Sequence, residues 1–479
     1  MAIVAALMLG VVSLPANQAA GAPAVVIVDT FADGYDGSCG DGDCSVRDAL
    51  ASVGGGGTVE LPPGFYTLSV AGPGGLEEGD LDLTRPVTVT RSAEGGVFLD
   101  ASGLDDRVVQ IDGGAGVTLE GLTLLGGHGN FRGGGVRVVT GSVALIDVTI
   151  VGGSVGEGGG GLSVAKGATA IVARSLLLDN NTRGTGGGIE IAGAAEIVDS
   201  TIAGNTARVG GGIDVRNAHV VLENVTIAKN RARESGGGIR ASGSVVLRSA
   251  TVARNRAGIA GGGVSSSPDV VRFARSIVAD NDAPSGASCT SPGRSDGHNV
   301  EGATARCGFS GSTDVVRVDA RLGGLRANGG PTPSIALLDR SPALGAGGTG
   351  CPHADQRGAP RGAPCDSGAY ERVLCLGSEV NIVGTRGDDE LSGGRDPDTF
   401  LGLGGDDEFQ GSLAGDRACG GPGGDHLIGG PGDDILAGQL GGDLIEGEDG
   451  DDRLLGGSGV DTCRGGSGRD RAVACEPAG

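Results

Sequence analysis

An aspartate stands at every ninth position through the last fifth of the 479-residue chain. A glycine precedes each aspartate by five positions and an apolar or small residue follows it by two, without insertion from 384 to 473. Glycine at a fixed register permits turns that other residues avoid, and the stretch after each aspartate is long enough for a short strand. The pattern therefore predicts a coil of short strands with their apolar residues inward. The ten aspartates are Asp389, Asp398, Asp407, Asp416, Asp425, Asp434, Asp443, Asp452, Asp461 and Asp470.

The pattern G-G-x-G-x-D-x-U-x resembles the RTX (repeats-in-toxin, haemolysin-type) family. The resemblance implies a parallel β-roll with two nonapeptides per turn, so that aspartates two repeats apart face one another. One column would hold Asp389, Asp407, Asp425, Asp443 and Asp461, and the other Asp398, Asp416, Asp434, Asp452 and Asp470. Stacked carboxylates and loop carbonyls form an all-oxygen environment that suits Ca²⁺. We therefore expect all ten aspartates to be calcium ligands, at up to eight sites with four along each column.

Charge is consistent with a cation in this segment. Residues 384–473 contain 20 Asp and Glu against 7 Arg. Without a cation the carboxylates repel one another, and the small apolar row cannot offset that repulsion. The segment is therefore predicted to be disordered without Ca²⁺ and to fold on binding it. Asp396 and Ala414 replace a glycine of the pattern, and Ala418 and Cys463 are small for its apolar position, so weak or empty sites are expected near repeats two and four.

The preceding region repeats with a period of about 25 residues, in three rows. The first row is Val136, Leu162, Ile189, Ile213, Ile239 and Val264; the second is Ile150, Leu177, Ile202, Ile227, Val252 and Ile277; the third is Asn180, Asn205, Asn230, Asn255 and Asp280. Glu190, Asp214 and Arg240 alternate with apolar neighbours, which indicates strands. Repeats of this length must stack to bury their apolar faces. The third row is interpreted as an amide ladder inside successive turns.

The predicted fold class is all-β: a right-handed parallel β-helix (solenoid) followed by a C-terminal calcium-binding parallel β-roll. The expected segments are a signal peptide at 1–24, an N-terminal cap and first coils at 25–116, regular coils at 117–283, C-terminal coils and a cap at 284–372, and the roll at 373–479. Ten cysteines favour an oxidising compartment. Local pairs Cys39–Cys44, Cys289–Cys307 and Cys351–Cys365 are plausible, whereas the pairing of Cys375, Cys419, Cys463 and Cys475 stays open.

Two segments resemble elements of secreted bacterial β-helix proteins. Residues 44–50, CSVRDAL, are similar to the C-S-L-R-E-A-I element, which implies a short helix over the first coil. Residues 328–333, 341–344, 355–358 and 365–371 resemble the choice-of-anchor Q domain. That resemblance implies a domain that closes the helix and is followed by a surface-attachment or sorting module. Both resemblances concern architecture and give no activity.

The N-terminus predicts export. Residues 2–16 form a short apolar run, followed by small residues with cleavage options around Ala20 to Ala24. The run is too short for a membrane span, so no transmembrane span is expected in the mature chain. Together with the cysteines, this predicts a secreted protein in the extracellular space or at the cell surface.

The sequence favours a binding or structural protein over an enzyme, and it assigns no catalytic residue or organic cofactor. Gly127-His128-Gly129 is similar to an element of pectin hydrolases, but no Asn-Thr-Asp precedes it and a turn with an exposed histidine is the favoured interpretation. The chain has no Trp, and its three tyrosines lie outside the regular coils, which leaves few platforms for sugar rings. The alternative is a polysaccharide lyase or glycoside hydrolase of the pectin-degrading β-helix type with a calcium-stabilised tail. A third hypothesis is an export module whose roll drives secretion and refolding.

Basic residues repeat along the coils, where residues 117–283 carry 16 Lys and Arg against 13 Asp and Glu. Stacking at this period predicts a basic stripe made of Arg183, Arg208, Arg231, Arg233 and Arg256. The stripe could bind an anionic polysaccharide or a cell-envelope glycan, or it could be a solvated turn face. No nucleic-acid partner is indicated, and the oligomeric state stays open.

Overall fold

The chain folds as a parallel β-helix followed by a roll of short strands, as the fold-class prediction requires. The structure, a computed structural model, describes residues 25–40, 42–72, 75–93, 95–304 and 306–476. The predicted signal peptide at 1–24 lies outside the described residues. Within them no helix combines the length and the hydrophobicity that a membrane span requires.

Four parallel sheets build the β-helix, each adding one strand per coil. Sheet 1 contains Val25–Ile27, Gly57–Leu61, Val87–Arg91, Gly116–Glu120, Ser142–Ile146, Thr169–Ala173, Ala194–Val198, His219–Glu223, Ser244–Arg248, Val271–Ala274 and Arg294–Ser295. Sheet 2 contains Gly64–Thr67, Val97–Asp100, Leu122–Leu125, Thr149–Val151, Leu176–Leu178, Thr201–Ala203, Thr226–Ala228, Thr251–Ala253, Ile277–Ala279, Val300–Gly302 and Val315–Val318. Sheet 3 contains Leu81–Leu83, Val109–Ile111, Val136–Val138, Leu162–Val164, Ile189–Ile191, Ile213–Val215, Ile239–Ala241 and Val264–Ser266. Sheet 4 contains His128–Gly129, Ser154–Val155, Asn181–Thr182, Thr206–Ala207, Arg231–Ala232 and Arg256–Ala257.

The predicted rows stack in register from coil to coil, but two of the predicted row members, both at the last regular coil, are wrong. The first row pairs rung by rung in sheet 3 as predicted. In sheet 2, however, Val252 pairs with Val278, and Ile277 pairs with Thr251. The asparagine ladder likewise ends on Asn281 and not on Asp280, which is exposed. The turn between Val264–Ser266 and Val271–Ala274 holds one extra residue and so shifts everything after it by one position.

The first coil is covered by a helix, α1 (Val46–Ser52), at the segment where the sequence predicted one. Ser45 caps α1: its hydroxyl accepts the Asp48 amide, and the Asp48 carboxylate accepts the Ser45 amide. The apolar side of α1 joins the β-helix core through Val46, Ala49 and Leu50. The helix therefore covers the apolar end of the solenoid and shields its first strands.

The segment 319–372 lies along the side of the β-helix, against the outer face of sheet 2. The sequence predicted that it closes the helix. Gln356 bonds the hydroxyls of Thr226 at 2.6 Å and Thr201 at 2.7 Å, and the amide of Ala369 bonds the hydroxyl of Thr251 at 3.0 Å. These threonines form one outward row in register. The next member of that row is Ile277, whose side chain packs into the apolar cluster of this segment.

Two antiparallel hairpins, one within this segment and one directly after it, and a buried arginine order this part of the chain. The hairpins pair Leu322–Arg326 with Ser334–Leu337, and Leu374–Cys375 with Ser378–Glu379. The guanidinium of Arg357 binds Asp355 at 2.9 Å and donates to the carbonyls of Asn328, Glu371 and Val380. Because Val380 lies just before the roll, Arg357 also fixes the junction between the two parts of the chain.

The C-terminal roll consists of two parallel sheets whose strands follow the aspartates. One sheet contains Ile382–Val383, Thr399–Leu401, Arg417–Pro422, Ile435–Leu440, Arg453–Ser458 and Arg471–Val473; the other contains Glu390–Ser392, Glu408–Gln410, His426–Pro431, Leu444–Asp449 and Thr462–Ser467. The apolar repeat position fills the space between them, with Phe400, Phe409, Leu427, Leu436 and Ile445 each 0 % exposed. This core is a single layer of side chains, so it buries too little apolar surface to stabilise the roll without a further contribution.

All ten cysteines are paired. The three local pairs predicted from the sequence are present as disulfides. In the tail, Cys375 bonds Cys419 and Cys463 bonds Cys475. The first of these tail bonds joins the hairpin before the roll to the third strand of one of its sheets.

Candidate metal centre in the C-terminal roll

The ten repeat aspartates lie in two columns, grouped as the 18-residue turn predicts. Every carboxylate after the first of its column uses one oxygen, Oδ1, to accept the backbone amide of the aspartate one turn earlier in that column. These bonds are 2.6 to 3.1 Å long and link Asp389 to Asp407 and so on to Asp461, and Asp398 to Asp416 and so on to Asp470. The column is thus fixed by the backbone, and each side chain has little freedom to turn away.

The second oxygen of the carboxylates has no partner in most of the roll. Oδ2 is buried and without a hydrogen bond in seven aspartates, which are Asp407, Asp416, Asp425, Asp434, Asp443, Asp452 and Asp461. Each of the seven side chains belongs to a residue that is at most 2 % exposed. A buried carboxylate oxygen without a donor is costly, because water no longer solvates it. Seven such atoms in register indicate positions that a cation fits.

Glycine carbonyls border the same positions. At Gly429 the direction a side chain would take leads to Oδ2 of Asp434 and to the carbonyl oxygen of Gly447. Gly411 has the same surroundings, with Asp416 and Gly429. The repeat therefore requires glycine because a side chain would occupy the space between carboxylate and carbonyl. Carboxylate and carbonyl oxygens are ligands that Ca²⁺ prefers.

The electrostatics of the columns favours a bound cation. Burial raises the pKa of Asp407, Asp416 and Asp425 to about 6 and that of Asp434 to about 7. The hydrogen bond from the backbone amide of the preceding aspartate in the column lowers the pKa, whereas the charges of neighbouring carboxylates raise it further. The pKa values of Asp443 and Asp452 are raised by the same causes. A divalent cation would favour the ionised form of each group.

The beginning of each column differs from its middle. Oδ2 of Asp389 accepts the Thr385 amide at 2.5 Å, and Oδ2 of Asp398 accepts the Gly394 amide at 2.6 Å. Both residues are partly exposed. Six of the eight predicted aspartate pairs therefore begin with an unpartnered oxygen, and the first pair of each column does not. The predicted weakness near Ala414 stays a prediction; its backbone is kept at a φ of 107°.

Within the described residues, no three His, Cys, Asp or Glu side chains converge as a metal cluster. This agrees with the geometry of the roll, in which one or two carboxylates combine with backbone carbonyls at each position. The centre is therefore defined by its unpartnered carboxylate oxygens and by the register of the glycines.

The predicted basic stripe lies in two exposed rows along sheet 4. Arg231 pairs in register with Arg256, while Arg183, Arg208 and Arg233 occupy the position two residues further along each coil. Arg208 forms an ion pair with Glu234 at 3.1 Å, and Arg256 one with Asp282 at 3.3 Å. The structure thus brings the five arginines together on one surface, and their binding role stays a prediction.

A polar ladder that the sequence pattern did not reveal lies on the outer face of sheet 3. Glu190 and Asp214 stack in adjacent rungs and are buried, at 2 % and 0 % exposed. Arg132 and Arg216 pair with Glu190, and Arg216 and Arg240 pair with Asp214. A groove of about 620 Å³ runs beside the ladder and is lined in part by Arg208, Arg216 and Arg240. The alternation of charged and apolar residues predicted that Glu190 and Asp214 point outward from the coil, but it did not predict that they are buried.

Both carboxylates of this ladder, those of Glu190 and Asp214, form ion pairs with arginine guanidinium groups. In Gly127-His128-Gly129, the segment that is similar to an element of pectin hydrolases, His128 is exposed and its backbone amide donates to the carbonyl of Asp106. The carboxylate of Asp106 accepts the amides of Asp80 and Arg107. His128 begins the first strand of sheet 4, His128–Gly129, so these contacts are those of the coil backbone.

Comparison with known proteins identifies the roll. The family model of the RTX calcium-binding nonapeptide repeat matches residues 383–418, 410–445 and 438–472. The C-terminal segment consists of RTX calcium-binding repeats. No curated protein matches the chain.

Two kinds of solved structure are similar to the chain. The crystal structure of pectate lyase Pel9A has a TM-score of 0.42 and 17% identity, over 74% of this chain and 97% of that one. The PL6 family alginate lyase AlyGC has a TM-score of 0.22 and 9% identity, over 94% of this chain and 79% of that one. Neither similarity supports an inference about substrate or activity.

Proposed function

We propose that this protein is a secreted or cell-surface calcium-binding protein whose RTX roll folds on Ca²⁺ and whose β-helix is a non-catalytic binding and structural module. The observation that carries the proposal is the series of seven buried carboxylate oxygens without a partner. The ion supplies the missing partner, so binding and folding of the roll are one equilibrium.

The compartment follows from the same chemistry. Extracellular calcium modules of weak affinity have dissociation constants of about 10⁻⁴–10⁻³ M, which lie above the calcium concentration of a cytosol. A roll of this kind stays unfolded inside the cell and folds outside it. Five disulfides, two of them involving the roll, fit an oxidising environment.

Circular dichroism of the full chain tests this proposal. We expect chelation with EGTA to lower the strand signal, because the roll unfolds while the β-helix stays. Added Ca²⁺ should restore the signal, whereas equal Mg²⁺ should not, since Mg²⁺ requires a tighter octahedral shell. A strand signal that is the same with and without chelator would contradict the proposal.

For the β-helix we propose an anionic polysaccharide or cell-envelope glycan as the partner, bound along the arginines of sheet 4. The support is their placement in two adjacent exposed rows beside the groove that Arg208 also lines. Only Arg208 and Arg256 of the five have a side-chain ion pair in the coils. Guanidinium groups repeated along a solenoid match carboxylates or sulfates repeated along a glycan.

Chromatography on an immobilised anionic polysaccharide tests the stripe. Replacing Arg208, Arg231 and Arg233 with Ser should lower the salt concentration of elution. The matched control replaces the exposed Arg306, Arg326 and Arg340 with Ser, which changes the net charge equally away from sheet 4. Equal elution of the two triple variants would show a general charge effect and remove the proposal.

A further inference from the structure

The column that begins at Asp389 continues past the tenth repeat. Glu476 forms a parallel bridge with Thr462, as the strand of an eleventh repeat would. Its carboxylate accepts the backbone amide of Asp461 at 2.5 Å, and its own amide bonds the Asp461 carbonyl at 2.8 Å. Within the column, each aspartate carboxylate accepts the amide of the aspartate one turn earlier in the same way. The carboxylate of Glu476 therefore takes the place of the next aspartate carboxylate, although its backbone is in register with Thr462, one residue after Asp461.

The backbone near Glu476 also reproduces the repeat. The space beside Gly456 is bordered by Oδ2 of Asp461 and by the carbonyl oxygen of Ala474. Ala474 stands 18 residues after Gly456, where a repeat glycine would stand, although its φ of 56° differs from that of Gly456, which has no positive φ. One carboxylate oxygen and one carbonyl oxygen thus border the position, as they do at Gly429.

Asp461 itself indicates a ligand at this position. It is 1 % exposed, and its Oδ2 has no hydrogen-bond partner. No eleventh aspartate follows it in the sequence, so the pairing of repeat aspartates leaves this oxygen unexplained. The acidic side chain of Glu476 supplies the second carboxylate that the other positions receive from the next repeat.

The disulfide Cys463–Cys475 holds these groups in place. Cys463 occupies the apolar position of the strand Thr462–Ser467, and Cys475 lies between Ala474 and Glu476. The bond closes a short loop of sequence separation 12, which is shorter than a turn of the roll. It explains why cysteine stands at an apolar position where other repeats carry Leu, Ile or Phe.

We propose that Asp461, the carbonyl of Ala474 and Glu476 form an additional Ca²⁺ site, beyond those between repeat aspartates, and that the Cys463–Cys475 disulfide assembles it. The inference rests on the proposed calcium binding of the roll. The site closes the end of one column, so reduction of a single disulfide removes one ion.

Native mass spectrometry of the full chain in saturating Ca²⁺ counts the bound ions. We expect Glu476→Gln to bind one ion fewer than the natural chain. The control Glu408→Gln changes an exposed carboxylate outside the columns and should keep the full number. The double variant Cys463→Ser, Cys475→Ser should also lose one ion, although both ligand side chains are kept.

Each outcome decides the question. An unchanged number of ions in Glu476→Gln overturns the additional site and leaves the function of the roll intact. Loss of every ion in Glu476→Gln, with Glu408→Gln unaffected, also overturns it, since Glu476 would then be a folding residue for the whole roll. A natural chain that binds no Ca²⁺ refutes the proposed function itself, before any variant is compared.

Discussion

Each aspartate in the middle of a column uses its two oxygens differently. Oδ1 is held by a backbone amide, and Oδ2 is buried without a partner. In the folded roll this hydrogen bond sets the spacing of the column and aligns the free oxygens. Because the roll folds on Ca²⁺, the cost of ordering the side chains is part of the coupled binding and folding equilibrium.

Asp434 is the most sensitive position to test, because its pKa is raised furthest, to about 7. Asp434→Asn keeps the shape and the Oδ1 acceptor but removes the negative charge. We expect the Ca²⁺ concentration at half-folding to rise several-fold, as one ligand charge is lost. A calcium titration followed by circular dichroism measures it, with Glu408→Gln as the control. Identical midpoints for both variants would contradict the assignment of Asp434.

The raised pKa values also predict the pH dependence of the roll. Carboxyls with a usual pKa of 3.8 titrate at about 6 to 7 in the ion-free folded roll, so folding takes up protons. At neutral pH the ion-free roll is therefore unfolded, whereas protonation of these carboxyls stabilises its folded form as the pH falls through this window, and Ca²⁺ must then displace the bound protons. Isothermal titration should show the Ca²⁺ affinity increasing between about pH 5.5 and about pH 8. A constant affinity across this range would contradict the prediction.

Among elements, the asparagine ladder connects five coils of the β-helix. Asn230 accepts the amide and the side chain of Asn205 and donates to Asn255 and to the carbonyl of Ile202, all at 2.8 to 3.0 Å. The residue is 1 % exposed. The ladder satisfies turn amides that the strands leave unpaired, which is why its side chains are amides and not carboxylates.

Asn230→Ala should destabilise the β-helix by about 2–4 kcal/mol, because two buried donors of Asn205 lose their acceptor. Urea denaturation measures the change in the free energy of unfolding. The control Asn181→Ala removes a partly exposed amide whose only side-chain bond, to Ser154, is 3.5 Å long. A loss no larger than that of the control would show that the ladder is not structural.

Sequence patterns predicted these elements because stacking repeats one local pattern. The row that includes Ile189 was found from spacing alone, whereas the column that includes Asp434 came from the spacing together with the two-repeat turn that the RTX resemblance implies. The prediction of Ile277 and Asp280 was wrong where one extra turn residue changed the period. The burial of Glu190 and Asp214 also escaped the pattern, since it depends on arginines from neighbouring coils.

At the scale of the molecule, long-range contacts set what periodicity cannot predict. Gln356 meets threonines 130 and 155 positions earlier, so no local pattern places its segment against sheet 2. Pairing of the tail cysteines was likewise open until the roll brought Cys375 beside Cys419 and Cys463 beside Cys475. The roll and the β-helix have separate apolar cores, which allows them to unfold separately.

Limited trypsin digestion tests this separation. With EGTA we expect rapid cleavage in the roll, at Arg386, Arg395 and Arg417, and a persistent fragment that retains the β-helix. With Ca²⁺ the same sites should be protected, since cleavage follows the population of the open form. Samples are reduced before electrophoresis because Cys375–Cys419 joins the fragments. Equal digestion of both parts in EGTA would contradict separate unfolding.

The bond between Cys375 and Cys419 has one more consequence. It closes a ring of the intervening residues, with the two Cα atoms 6.0 Å apart. When the ions are removed, the first two turns of the roll therefore stay covalently tethered to the chain just after the β-helix. This disulfide lowers the conformational entropy of the ion-free roll. Refolding therefore begins from a restricted set of conformations each time the roll loses and regains its ions.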